Sequence, residues 1–135
     1  MSLQYSTTVR NAKLDAVETT IGVSAILKMR TGAAPANCAA ADSGSVVATL
    51  NLPADWMAAA AAGAKALSGT WQDASADSTG TLAHFRVYDS GGAICHIQGT
   101  ITLTAGGGDM TVDNTSVVAG QVINVTSFTL TAGNA

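Results

Sequence analysis

Charge is what this chain has least of. Only 11 % of its 135 residues are Asp, Glu, Lys or Arg, and aromatic residues make up 4 %. Typical soluble domains carry about a quarter charged residues. The six Lys and Arg are scattered and the net charge is −3, so no basic patch exists of the size that neutralises many phosphates. Nucleic acid is therefore not an expected partner. No uninterrupted apolar run reaches the roughly 18 residues of a membrane helix. The first twenty residues are polar and amphipathic, without the apolar segment of a signal peptide, so folding in a cytoplasm is the expectation. Two cysteines, Cys38 and Cys95, are too few for a disulfide framework. In a reducing compartment they read as two small, partly buried thiols.

What is present is alanine, glycine and alternation. Hydrophobic residues reach 47 %, but many are alanine, which predicts a thin core and favours oligomerisation. The length fits one domain over 1–135, with an N-terminal arm or helix at 1–22 and a β-sandwich at 23–135. Ser6 or Thr7 can cap a helix whose apolar side is Leu14, Val17 and Ile21, ending at Gly22. Arg10, Lys13, Asp15 and Glu18 are expected on its outer side. Ala25, Leu27 and Met29 alternate with Ile26, Lys28 and Arg30, and Val46 to Leu52 alternates likewise up to Pro53. Between them, 32–45 is small, polar and broken by proline and glycine, a surface loop. Residues 54–63 read as a helical turn or irregular stretch, since alanine favours helix while the neighbours are β. The long final segment 121–131 switches apolar parity near Thr126 and Ser127, which predicts a bulge there.

The segment 81–103 gathers both histidines, Cys95 and Arg86. It reads as a hairpin with Phe85, Val87, Cys95 and Ile97 on one face, closed by a three-residue Ser90-Gly91-Gly92 loop. That register pairs Val87 with Cys95, Phe85 with Ile97 and Arg86 with His96. It leaves His84, Arg86, His96 and Gln98 as an outward polar row. A metal site is disfavoured, because adjacent strand residues Cys95 and His96 face opposite ways and no third ligand is evident. No Gly-x-Ser-x-Gly elbow appears, and Gly106-Gly107-Gly108 lacks the Lys-Ser/Thr ending of a phosphate loop. No cofactor is expected and an enzyme is not. Trp56, Trp71, Tyr88 and Tyr5 could stack on sugars, although spread-out rings more often belong to a core. About seven short strands at 8–12-residue spacing predict a mainly β fold, an antiparallel β-sandwich or jelly roll with a short N-terminal α-helix.

Several stretches resemble small virion proteins of tailed bacteriophages and prophages. They are Leu3-Gln4-Tyr5-Ser6, the segment from Val9 to Ala16, Leu27-Lys28-Met29-Arg30-Thr31-Gly32, Gly69-Thr70-Trp71-Gln72-Asp73, His84-Phe85-Arg86, Cys95-His96-Ile97-Gln98-Gly99 and Asp113-Asn114-Thr115. The likeness runs over nearly the whole chain and brings no catalytic signature. It implies a structural particle component, foremost a capsid decoration (cement) protein that binds the major capsid protein as an oligomer, with a trimer favoured. Its place would be the virion, assembled in the bacterial cytoplasm. A tail- or fibre-associated component and a carbohydrate-binding surface module are the alternatives. The candidate interface residues are Val9, Leu14, Val17, His84, Arg86, His96 and Gln98.

Overall fold

The computed structural model describes residues 3–133, so positions 1, 2, 134 and 135 of the expected single domain lie outside the described residues. Among the described residues one helix, α1 (Thr7–Ile21), precedes ten strands. These are β1 (Ile26–Arg30), β2 (Val46–Asn51), β3 (Ala64–Ala66), β4 (Gln72–Asp73), β5 (Gly80–Thr81), β6 (His84–Tyr88), β7 (Cys95–Leu103), β8 (Met110–Val112), β9 (Ser116–Val117) and β10 (Ile123–Thr131). The main sheet runs β2-β1-β6-β7-β8-β10-β3, with β4 also pairing β10, and β5 and β9 form a separate pair. The sheet is mixed and curls into a half-barrel. A mainly β fold with one short helix is thus present, whereas a wholly antiparallel sandwich or jelly roll is not confirmed.

The departure from antiparallel pairing lies between β7 and β8, which run parallel with Ile101 opposite Met110. Parallel neighbours ordinarily need a crossover of about a dozen residues. Here residues 104–109 are enough, because the chain folds back along the end of β7. Asp109 Oδ2 accepts from the Thr100 amide at 2.8 Å and from the Thr100 hydroxyl at 3.0 Å, and the Gly108 amide donates to Thr102 Oγ1 at 3.0 Å. The glycines make this approach feasible: a Cβ on Gly106 or Gly108 would stand 2.7 or 2.9 Å from Thr102.

Inside the curl, Leu27, Met29, Leu50, Val87, Met110, Val112 and Ile123 surround four rings. Trp56, Trp71, Phe128 and Phe85 form a chain with centroids 5.9, 5.5 and 5.5 Å apart, the last contact edge-to-face. Few aromatics suffice because they are concentrated at one point. Phe85 lies against Gly99, its cross-strand partner, where a Cβ would meet the ring at 2.9 Å. The bulge expected near Thr126 is present: Val125 pairs with Val112 and Ser127 with Thr111, leaving Thr126 unpaired between them.

The helix begins and ends as expected. Ser6 Oγ accepts from the Val9 amide, and the Gly22 amide returns to the Glu18 carbonyl at a φ of +92°. Its apolar residues Leu14 and Ile21 are buried. The expectation that its charged residues face outward is corrected for Arg10, Asp15 and Glu18. Asn11, Asp15 and Glu18 recur at the spacing of one helix face. Their side-chain oxygens accept from the amides of Gly63, Ala60 and Met57 at 2.9, 3.0 and 3.1 Å. Arg10 Nε donates to the Ala132 carbonyl. The Lys65 ammonium, 3 % exposed, lies 2.8 Å from Asp15, 2.9 Å from Glu18 and 2.9 Å from the Ala58 carbonyl.

This ladder explains why the alanine-rich stretch 54–63 is irregular rather than helical, one of the two readings its sequence left open. The Met57, Ala60 and Gly63 amides are taken by α1 side chains, and those of Ala58 and Ala61 by the carbonyls of Ala66 and Ala64. Intrinsic helix preference amounts to only a few tenths of a kcal/mol per residue and yields to such partners.

Replacing Lys65 by Ala strands the Glu18 carboxylate and the Ala58 carbonyl. The expected loss is about 2–3 kcal/mol in urea unfolding. Asp55→Asn, at an exposed position, serves as the control and should stay within about 0.5 kcal/mol.

Candidate interaction surface

All five residues of β6 are buried. Alternation had placed Phe85 and Val87 inward and His84 and Arg86 outward, and the first half of that holds. The polar side is covered by the 32–45 loop, so His84 and Arg86 are each 1 % exposed. The outward polar row is corrected accordingly. His84 Nδ1 pairs with the Gly32 carbonyl at 2.7 Å, and Gln98 Nε2 donates to the Pro35 carbonyl at 2.7 Å. The Arg86 guanidinium donates to the carbonyls of Cys38 at 2.7 Å and Ala40 at 3.1 Å, to the Asp42 carboxylate, and through Nε to Cys95 Sγ at 3.1 Å. A loop without regular structure leaves its carbonyls in need of donors, and a five-donor guanidinium supplies them.

Asp42 gathers the loop's far end. It takes Arg86, the Tyr88 hydroxyl, and Arg30 Nη2 at 2.9 Å. Burial works against ionisation of Asp42, but the Tyr88 hydroxyl and the Arg30 and Arg86 charges outweigh it and hold the carboxyl below the ordinary 3.8. Burial, then the Asp42 hydrogen bond, pushes the Tyr88 phenol up to about 12.

The expected hairpin register is also corrected. Val87 pairs with Ile97, Phe85 with Gly99, Arg86 with Gln98 and His84 with Thr100. Asp89 Oδ1 accepts from the amides of Ala93 and Ile94, and the Gly92 amide closes a turn onto the Asp89 carbonyl, so the loop is wider than three residues. Tyr88 pairs with Cys95 while Val87 pairs with Ile97, which makes His96 a bulge. The bulge sends Cys95 to the Arg86 face, opposite the Ile97 side chain, with its thiol 3.4 Å from the Ile97 carbonyl.

Of the seven candidate interface residues, Leu14, His84 and Arg86 are interior, and Gln98 is half-buried under the loop. Val9 is 43 % exposed. Val17 and His96, which sequence could not relate, line one groove of about 310 Å³ with Lys13, Ala16, Thr20 and Ile21. Leu3 and Tyr5 add exposed apolar surface ahead of the helix, where the Lys13 ammonium stands 4.2 Å from the Tyr5 ring centre. Val118 and Val122, exposed around the 118–121 turn, were not anticipated; two valines either side of Gly120 were the available signal. Trp56, Trp71 and Tyr88 are buried, which removes three of the four rings proposed as sugar platforms. No helix among the described residues is long and apolar enough to cross a membrane. No protein-family model matches the chain, and neither curated proteins nor solved structures return a match.

The pKa directions set the pH dependence. A lowered Asp42 contributes stability above about pH 3.8 that disappears as pH falls further, and a lowered Asp15 acts the same way. A raised Tyr88 contributes stability that is complete below pH 10.0 and lost between there and about 12, and a raised Lys65 adds loss above 10.5. Urea midpoints should therefore form a plateau with an acid limb and an alkaline limb. Asp42→Asn should cost about 1–3 kcal/mol on the plateau and shrink the acid limb; Tyr88→Phe should shrink the alkaline one.

Proposed function

We propose that this chain is a structural protein of a phage particle, a capsid decoration protein that stabilises the head by binding the major capsid protein. It acts as a homo-oligomer, a trimer, and has no catalytic role. One observation carries the reading: the side chains with chemical potential are spent on the fold itself. Arg30, Lys65, Arg86 and His84 are all buried among backbone carbonyls and carboxylates. The surface keeps apolar side chains instead, with Leu3, Val9, Val23, Ile94, Leu103, Val118 and Val122 each more than 40 % exposed. A low-charge surface of this kind suits permanent contact with neighbouring subunits. The resemblance of the sequence to small virion proteins supports the same reading. On it, the α1 groove with Val9, Val17 and His96 is the face presented to a neighbour.

Mass spectrometry and gel densitometry of purified particles provide the test. A decoration protein is present in many copies per head, and particles lacking it lose heat resistance. A few copies per particle would assign it to the tail or fibres, and absence from particles would end the proposal. Val9→Asp combined with His96→Ala should leave the isolated protein's melting temperature within about 2 °C, yet reduce its occupancy on heads at least tenfold. Unchanged occupancy would remove the helix groove from the interface.

A further inference from the structure

Cys38 and Cys95 are far apart in sequence but meet at one guanidinium. Arg86 Nε lies 3.1 Å from Cys95 Sγ and Nη2 lies 2.7 Å from the Cys38 carbonyl. Both cysteines are free, half-buried, and line the same open cleft of about 630 Å³ between the 38–42 segment and the 92–95 end of the hairpin. Burial first, then the neighbouring Cys38 thiol, raises the Cys95 pKa against the effect of Arg86. The bulge at His96 is what brings Cys95 to this side of the sheet. Without it, Cys95 would lie beside Ile97 and the two sulfurs would face opposite ways.

The geometry points to Cys38 and Cys95 as a dithiol that closes into an intramolecular disulfide, clamping the 32–45 loop onto β7 once the protein leaves a reducing compartment. The inference does not rest on the virion reading. A small-molecule disulfide such as oxidised glutathione is the oxidant. One protein thiolate attacks a glutathione sulfur, the glutathione S–S bond breaks, and a mixed disulfide forms with release of one glutathione thiolate. The second protein thiolate then attacks the protein sulfur of that mixed disulfide, forming the Cys38–Cys95 bond and expelling the second glutathione thiolate. The protein loses two protons and two electrons, and the oxidant is reduced to two thiols. A raised Cys95 pKa makes the thiolate scarce at neutral pH, so closure should quicken as pH rises. The cross-link closes about sixty residues of chain, a length at which the unfolded ensemble is strongly restricted.

The full-length protein is incubated with oxidised glutathione, followed by thiol titration in denaturant, peptide mapping and thermal melting with and without dithiothreitol. Expected are loss of both thiols, a single intramolecular Cys38–Cys95 peptide, and a melting temperature higher by about 10 °C that dithiothreitol reverses. Cys38→Ser and Cys95→Ser should each abolish the rise. Two glutathione adducts, an intermolecular dimer, persistence of both thiols, or a cross-link without a higher melting temperature would each overturn the proposal.

Discussion

The Arg86 guanidinium is the point on which the covered face of the sheet depends. It sits on a central strand, fully buried, and reaches the carbonyls of Cys38 and Ala40, the Asp42 carboxylate and the Cys95 sulfur. A buried cation is tolerable only when its donors are occupied and its charge is matched. Asp42 provides the match and shares itself with Arg30 and Tyr88. Removing Asp42 would leave the buried guanidinium without its matching charge, and removing Arg86 would leave the loop carbonyls without donors. The loop, the hairpin and β1 are thereby held by one network.

The helix side repeats the same solution with the polarity reversed. There it is backbone amides of 57–63 that need acceptors, and Asn11, Asp15 and Glu18 supply them, with Lys65 neutralising the two carboxylates. Regular elements thus lend polar side chains to irregular ones in both places. This accounts for how so few charged residues support the fold. Three of the six cations, Arg30, Lys65 and Arg86, act as hydrogen-bonding hubs and are withdrawn from the solvent, whereas Asp55, Asp77, Asp109 and Asp113 stay on the surface beside its small and apolar groups. The proposed role in a particle follows from that division of labour: the outside has little chemistry beyond contact. It also accounts for the placement of the cysteines, since Cys95 belongs to the Arg86 network and Cys38 to the loop that network holds.

Local signals in the sequence were sound. Ser6 and Gly22 bound the helix, the parity switch marked the bulge at Thr126, and alternation placed Leu27, Met29, Phe85 and Val87 in the core. What failed did so where distant segments supply partners. The hairpin register moved because the Asp89 carboxylate holds Ala93 and Ile94 in a wider turn and His96 bulges. The parallel pairing of β7 with β8 depends on Thr100, Thr102 and Asp109 meeting across the glycine turn. Of the candidate interface, Val9 and the Val17–His96 groove remain at the surface, Leu14 lies under α1, and the loop buries His84 and Arg86 and half-covers Gln98.

By itself the sequence determined periodicity: a capped amphipathic helix, strands with one apolar face, and glycine turns. Those properties are written within a few neighbouring residues, where backbone geometry alone relates one side chain to the next. Only the tertiary structure decided whether the second face of each element meets water or protein. An arginine or a histidine in an alternating strand reads as exposed until a loop some fifty residues away offers its carbonyls. Burial of polar groups depends on such partners, and long-range partners leave no trace in local alternation.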